Sequence, residues 1–182
     1  MDPGSDDTLM QRFCAGDEAA FDMLYQRYAT PVLAFLARMV RDDALAEDLL
    51  QTTFVSFVRA RGRYAPGTSV RAWVFAIAAN AGRDALRRRR SSPERLSPEG
   101  APPDAPAEPV APSDPAAARA IRDALMQLPV EQREAVVLHK LEDLSFEEVA
   151  AALGITVGAA KVRAHRGYQR LRKILEPLGV TP

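Results

Sequence analysis

Apolar residues recur at helical spacing along the N-terminal half of the chain. Phe21, Leu24, Tyr25 and Tyr28 are three or four positions apart, so they share one face of a helix that Asp17 can cap. No segment alternates convincingly between apolar and polar residues at the two-residue period of a strand. The pattern predicts an all-α structure.

Three more helices are predicted before residue 91. One is expected to begin at Thr30-Pro31, because proline favours the first helical position, and another at Asp42 or Asp43. Residues 61–67 break that helix, and a fourth follows. The apolar stripes of the three helices are Val32, Phe35, Leu36, Met39 and Val40; Leu50, Phe54, Phe57 and Val58; and Val70, Trp73, Val74 and Ile77.

The C-terminal part also has helical periodicity. Ile121, Leu125 and Leu128 line one predicted helix, which Pro129 ends, and residues 131–141 form a second.

Residues 145–173 have the form of a helix-turn-helix. Ser145 and Glu148 match a capping box, Gly154 ends the first helix, and Thr156 can cap the second. In this motif the second helix enters a major groove of DNA.

Residues 91–118 have the composition of a linker. Proline stands at positions 93, 98, 102, 103, 106, 109, 112 and 115, and aromatic residues are absent. Such a stretch buries too little apolar area to offset its ordering entropy. We therefore expect an N-domain over 1–90, a flexible acidic linker over 91–118 and a C-domain over 119–182.

The composition is that of a globular protein, with 47% hydrophobic and 26% charged residues. Cys14 is the only cysteine, and no run of residues is long and apolar enough to span a membrane. The acidic start of the chain lacks the apolar core of a secretion signal. We expect a cytoplasmic protein without membrane insertion.

The net charge is zero, but the charges are unevenly distributed. Residues 59–90 carry nine basic and one acidic side chain, and residues 156–182 carry six and one. Two basic blocks that each follow an acidic or mixed block indicate local contact with a polyanion.

Two parts of the chain resemble bacterial RNA polymerase sigma factors of the sigma-70 family, most closely the extracytoplasmic-function (ECF) group. Residues 43–54, 59–64 and 70–78 resemble region 2, and residues 128–171 resemble region 4. The resemblance implies a region 2 helical bundle and a region 4 helix-turn-helix domain. It implies a factor that binds core RNA polymerase, directs it to promoter DNA and commonly has an anti-sigma partner.

The resemblance also assigns candidate contact residues. It places the polymerase contact on the third helix, at Glu47, Asp48, Gln51 and Thr52. Thr52 departs from the glutamate that is frequent there, which puts one charge contact in doubt. Recognition and melting of the −10 promoter element would use Arg61, Arg63, Tyr64, Asn80, Arg83, Asp84 and Arg87, since arginine can hold phosphate or guanine and asparagine can pair with adenine.

For the −35 element the resemblance favours the second helix of the helix-turn-helix. The candidates are Thr156, Lys161, Arg163, His165 and Arg166. Ala159 and Val162 stand where the family usually has hydroxyl side chains, so promoter preference does not transfer.

Two aromatic residues and the cysteine each fit more than one role. Trp73 belongs to an apolar stripe, which favours a core position over base stacking. Tyr64 is the better stacking candidate, although a plain loop tyrosine fits as well. Cys14 is expected to be a small buried side chain rather than a redox sensor.

Two other classes of protein compete with this interpretation. A stand-alone helix-turn-helix regulator would bind DNA without polymerase. An enzyme is disfavoured because the chain has only two histidines and no nucleophile elbow or phosphate-binding glycine loop. We expect no cofactor, no metal and no small-molecule substrate.

Overall fold

A computed structural model describes residues 4–91 and 115–179, and every regular element in these two ranges is helical. The α-helices are α1 (Asp6–Cys14), α2 (Glu18–Val40), α3 (Asp43–Ala60), α4 (Val70–Ser91), α5 (Pro115–Met126), α6 (Val130–Val136), α7 (Phe146–Leu153) and α8 (Val157–Leu175). Short 3-10 turns cover Arg61–Arg63 and Glu176–Leu178, and a π-helical turn covers Val137–Leu141.

The first four helices pack around an aromatic core. The rings of Phe13 and Phe57 stack with centroids 5.7 Å apart, and those of Phe35 and Phe75 meet edge to face at 5.6 Å. Such ring pairs add to the stabilisation from buried apolar area. The core therefore fixes α1, α2, α3 and α4 relative to one another.

The helix starts in this half carry acidic or hydroxyl caps. The Asp17 carboxylate accepts a hydrogen bond from the Ala20 amide, and Asp42 accepts one from Leu45. These bonds satisfy amide groups that have no partner inside a helix. The predicted cap at Asp17 is confirmed, and Asp42 rather than Asp43 caps α3.

The predicted helix start at Thr30-Pro31 is wrong. Pro31 lies inside α2, which runs without a break from Glu18 to Val40. Proline removes one backbone hydrogen bond from a helix interior. Tyr28 and Val32, four positions apart across the proline, are both buried. The apolar face therefore continues past Pro31, and its burial favours one long helix.

In the C-terminal half, the single helix expected over 131–141 is in fact two elements. α6 ends at Val136, and the next residues form the π-helical turn. The Glu142 amide donates to the Val137 carbonyl at 3.0 Å, a bond across five residues, and Asp143 adopts a left-handed backbone with φ of 50°. This wider turn lets the chain reverse into α7.

α7, its turn and α8 form the predicted helix-turn-helix. Ser145 and Glu148 make both bonds of the capping box, and the Thr156 hydroxyl accepts from the Ala159 amide. Gly154 has a φ of 65°, a left-handed conformation that glycine adopts without strain. The sequence signals at this motif are therefore confirmed.

The described ends of the predicted linker are helical. Ser91 is the last residue of α4, and α5 begins at Pro115. The remaining linker prediction, residues 92–114, lies outside the described residues.

The two halves of the chain contact each other directly. α7 packs against α4, and both α5 and α6 pack against α2. The buried apolar residues of the two halves form one continuous cluster.

Candidate functional site

The four residues predicted to bind polymerase lie on one exposed face of α3. The opposite face buries Leu49, Phe54 and Phe57 in the core. The Thr52 hydroxyl donates to the backbone carbonyl of Asp48 at 2.9 Å, so it is held against its own helix. All four candidates are solvent-exposed: Glu47, Asp48, Gln51 and Thr52.

The loop between α3 and α4 is tied to the rest of the N-terminal half. The Tyr64 hydroxyl donates to Asp7 at 3.0 Å or to the Thr68 carbonyl at 2.7 Å, and its ring lies 5.5 Å from that of Trp73. Burial, together with the Asp7 carboxylate, raises the pKa of Tyr64 above its ordinary value. Tyr64 is therefore a half-buried tyrosine in an ordered loop.

The two arginines of this loop are exposed. The Arg61 guanidinium lies 5.6 Å from the ring centre of Phe13, within the range of a cation–π contact. Arg63 ends the 3-10 turn. Both side chains face solvent beside Tyr64.

The predicted −10 residues of α4 are linked by polar contacts along one side of the helix. Arg83 donates to the Asn80 side-chain oxygen and lies 3.4 Å from Glu134 of α6. Arg87 pairs with Asp84 at 2.7 Å. Asn80 and Arg87 are exposed, whereas Arg83 and Asp84 are half-buried.

A cleft of about 530 Å³ runs between α3 and α4. Asp48 and Thr52 line one wall, and Asn80 and Asp84 line the other. The candidates for polymerase and for −10 DNA therefore share a continuous surface. Sequence spacing does not predict this shared surface, because the cleft lies between two helices whose relative placement depends on the packing of the core.

The second helix of the helix-turn-helix presents most of its predicted −35 residues to solvent. Lys161, His165, Arg166 and the cap residue Thr156 are exposed. Arg163 is half-buried, with its guanidinium 3.6 Å from Glu131. The inner side of α8 buries Ala160, Ala164 and Leu171, as expected.

Two single-residue predictions have different outcomes. Trp73 packs against the core at 5.0 Å from Phe57 and is half-buried, in agreement with the core interpretation. The prediction that Cys14 is buried is wrong, because the residue ends α1 and is exposed. Its thiol donates to the Arg61 carbonyl at 3.3 Å.

Neither a membrane-spanning helix nor a cluster of metal ligands is found in the described ranges. In residues 4–91 and 115–179, no helix combines the length and hydropathy needed to cross a membrane. Within the same ranges, no three His, Cys, Asp or Glu side chains are grouped so that they could hold a metal ion.

Both halves match known sequence families. Residues 24–92 match Sigma-70 region 2, and residues 118–171 match Sigma-70, region 4. The two matches follow each other along the chain and together include α3, α4 and the helix-turn-helix.

Similar proteins cover nearly the whole chain. RNA polymerase sigma factor CarQ of Myxococcus xanthus is 53% identical over 93% of this chain and 97% of its own length. ECF RNA polymerase sigma factor SigM of Mycobacterium tuberculosis is 35% identical over 94% of this chain and 85% of its own.

Solved structures show the same fold. CnrH in complex with the cytosolic domain of CnrY has a TM-score of 0.73 at 27% identity, covering 94% of this chain and 97% of that one. The sigma factor RpoE in complex with the anti-sigma factor NepR from Bartonella quintana has a TM-score of 0.72 at 26% identity, covering 86% and 96%. The chain belongs to the sigma-70 family of RNA polymerase sigma factors, in its ECF group, and is a transcription initiation factor.

Proposed function

We propose that three surfaces of this sigma factor have separate roles in transcription initiation. The exposed face of α3 binds core polymerase, the loop after α3 together with α4 binds the −10 element, and α8 reads the −35 element. Residues 1–90 and 119–182 are the two functional domains, and 91–118 connect them. The protein acts in the cytoplasm, without catalysing a reaction of its own.

The observation that carries this proposal is the division of α8 into two faces. One face is buried against the rest of the C-terminal half through alanine and leucine side chains, and the other exposes Lys161, His165 and Arg166. Cations on the second helix of a helix-turn-helix reach both phosphates and base edges when that helix lies in the major groove.

For the −10 element, support comes from the density of cations on α4. Arg88, Arg89 and Arg90 lie in its last turn. Such a cluster attracts DNA phosphates independently of sequence, with an affinity that falls as salt rises. Exposed Asn80 adds a side chain that can pair with adenine through two hydrogen bonds.

The exposed acidic face of α3 supports polymerase docking. Glu47 and Asp48 are not needed for the core, because the buried side chains of α3 lie on its other face. The proposed −10 surface on α4 is basic and the exposed face of α3 is acidic. Each surface therefore suits a partner whose charge is opposite to its own.

An anti-sigma protein is a further proposed partner. The two solved relatives described above are both in complexes, with the cytosolic domain of CnrY and with the anti-sigma factor NepR. For this chain, we propose that such a partner covers the exposed face of α3 and so competes with polymerase.

Run-off transcription with purified bacterial core polymerase, this protein and a library of promoter fragments tests the function. Transcripts that depend on the added protein would support it and reveal the promoter sequence. Absence of such transcripts, together with no co-elution of the protein with core polymerase, would contradict it.

Substitutions on α4 test the −10 assignment. Arg83→Ala with Arg87→Ala should abolish permanganate reactivity at the −10 region while polymerase binding persists. Arg119→Ala with Arg122→Ala is the matched control, because both residues are exposed on α5 and remove the same charge. Arg87→Ala alone leaves the contact between Arg83 and Glu134 in place. If this single variant also loses promoter opening, the loss cannot result from breaking that contact. Unchanged reactivity in the double variant would refute the assignment.

The −35 assignment has a control on the same helix. Arg166→Ala should weaken binding to a duplex that carries the −35 element, whereas Arg172→Ala, exposed in the last turn of α8, should have a smaller effect. Equal losses for the two variants would contradict a reading role for Arg166.

A further inference from the structure

Val162 is an apolar residue in the middle of the solvent-facing side of α8. The buried residues of this helix are Ala160, Ala164, Gly167, Leu171 and Leu175. At about 3.6 residues per turn, Val162 lies about 180° around the helix from the centre of this buried face. Its side chain is 48% exposed. Packing of α8 in the C-terminal half therefore does not account for a valine at this position.

Helix stability does not account for the valine either. A β-branched side chain loses rotational freedom in a helix, so Val162 is a weaker helix former than its neighbour Lys161. Single apolar residues are nevertheless common on protein surfaces, and exposure alone assigns no function. The residues that adjoin Val162 on the surface of α8 give its position a chemical meaning.

The middle of the exposed side of α8 carries short side chains. Gly158 and Ala159 precede Val162 by four and three positions, so both adjoin it on the helix surface. We call these three residues the apolar strip. A Cβ atom at Gly158 would meet only the Thr156 hydroxyl, at 4.0 Å. The surface beside Val162 is thus open, and a partner can approach the helix backbone closely there.

Basic side chains flank the apolar strip. His165 and Arg166 follow Val162 by three and four positions, and Lys161 immediately precedes it; all three are exposed. The His165 ring is hydrogen-bonded at 2.9 Å to the side chain of Gln169, one turn further along α8. The exposed side of α8 is therefore apolar in its centre and basic at its edges.

This arrangement complements the major groove of DNA. Phosphates lie along the edges of the groove, where lysine and arginine can bind them, and base edges form its floor. Among the groups that the base pairs present on that floor, the 5-methyl group of thymine is the distinctive apolar one. An apolar side chain in the centre of a DNA-binding face therefore matches thymine.

Val162 also lies in the part of α8 that can reach the bases. It is in the second turn of a helix that begins at Val157, and the N-terminal residues of a recognition helix contact base edges. A valine side chain is short, so it reaches a base only if the helix approaches the groove floor closely. The small residues Gly158 and Ala159 permit such an approach.

We propose that Val162 reads the 5-methyl group of a thymine in the −35 element, so that T·A is preferred at the base pair that it faces. This inference rests on the proposed −35 role of α8 and adds a specificity-determining residue to its basic ones. The hydroxyl side chain that the family usually has at this position can form hydrogen bonds with different bases. Valine cannot, so the promoter preference of this chain should differ at that base pair.

Replacement of thymine by deoxyuridine tests the proposal on the unmodified protein, because uracil lacks only the methyl group. The probe is a promoter duplex identified by run-off transcription, with the thymines of its −35 element replaced one at a time on both strands. Holoenzyme assembled from core polymerase and the full chain should bind one of these duplexes about two- to fourfold more weakly, the scale of burying one methyl-sized group. Equal binding of all the duplexes, or a −35 element without thymine on either strand, would overturn the proposal.

Val162→Ser tests whether the methyl effect belongs to this residue. Serine and valine have similar helix propensities, and the side chain lies outside the buried face of α8, so the variant should remain folded. It should bind the thymine and deoxyuridine duplexes equally. Leu178→Ser is the matched control, because Leu178 is 60% exposed and lies beyond the end of α8, so this variant should keep the difference. A difference that persists in Val162→Ser would overturn the proposal.

A gain of binding gives an independent check. At the position identified with deoxyuridine, a C·G pair should be bound more tightly when its cytosine carries a 5-methyl group, because this methyl group occupies the same place in the major groove. An equal affinity for methylated and unmethylated cytosine would contradict methyl recognition.

Run-off transcription separates failure of this inference from failure of the proposed function. If no transcripts depend on the protein, the proposed function is wrong, and this inference is wrong with it. If transcripts appear and Arg166→Ala weakens promoter binding, but deoxyuridine has no effect, then α8 reads the −35 element and only the role of Val162 is wrong.

Discussion

Gly167 lies where α8 packs tightly against α6, and its replacement by alanine should destabilise the protein. A Cβ atom at this position would lie 2.5 Å from Val136 Cγ2, 3.3 Å from the Gln132 carbonyl oxygen and 3.6 Å from Gln132 Cβ. The methyl group of Val136 and a backbone atom would both have to move. Because α8 carries the proposed −35 residues, this contact also sets the position of the recognition helix.

Two effects of opposite sign determine the magnitude. Alanine is favoured over glycine inside a helix by about 1 kcal/mol. Forcing an extra methyl group into a packed contact costs about 1–3 kcal/mol. The 2.5 Å contact and the adjoining backbone oxygen place Gly167→Ala toward the upper part of that range. We expect a net loss of about 1–2 kcal/mol in the free energy of unfolding.

Urea unfolding followed by circular dichroism measures this change, and two variants make it specific. Gly158→Ala, in the first turn of the same helix, meets only the Thr156 hydroxyl at 4.0 Å, so it should be neutral or stabilising. Val136→Ala removes the methyl group at 2.5 Å and should make Gly167→Ala less harmful in the double variant. A Gly167→Ala protein as stable as the unmodified one would refute the close approach of these helices.

Two further predictions concern buried charge and helix capping. Burial raises the pKa of Glu134 from its ordinary 4.5 to about 7, so the stability that its protonated form contributes is lost as the pH rises through this range. Glu134→Gln is neutral at every pH, so its free energy of unfolding should exceed that of the unmodified protein slightly near pH 5 and by about 3 kcal/mol near pH 8. Denaturant unfolding across this pH range measures the difference. A difference that does not vary with pH would disprove the prediction. Ser145→Ala removes the capping box of α7 and should lower the free energy of unfolding by about 1 kcal/mol, whereas an unchanged urea midpoint would show that the cap contributes nothing.

Local signals in the sequence predicted most of the helical fold. Capping side chains such as Asp17 and Ser145 act within one turn of their own helix, so their meaning can be read directly from the sequence. At Pro31 a local rule fails. Proline favours the first turn of a helix, but burial of the residues on either side stabilises one continuous helix more strongly. The π-helical turn after Val136 likewise could not be predicted from the sequence, because hydrophobic spacing does not distinguish a π turn from an α-helix.

The residues that make up the candidate surfaces could be predicted from the sequence, but the residues of other helices that contact them could not. The helical period predicted that Asn80, Arg83 and Arg87 share one side of α4, and in the structure Arg83 donates a hydrogen bond to Asn80. The contact of Arg83 with Glu134, 51 positions away, depends on tertiary packing. The exposure of Cys14 does not follow from the sequence for the same reason, because it depends on where α1 ends relative to Arg61.

The hydrogen bond between Asp7 and Tyr64 has a practical consequence for handling the protein. It links the first turn of α1 to the loop proposed to bind the −10 strand, and Asp6 on the same turn contacts Tyr28 and Arg27. An affinity tag fused before residue 1 would stand only five residues from Asp6 along the chain, so it can compete for these contacts. Purification handles are better placed at the other end, and transcription assays of N-terminally tagged protein need an untagged comparison.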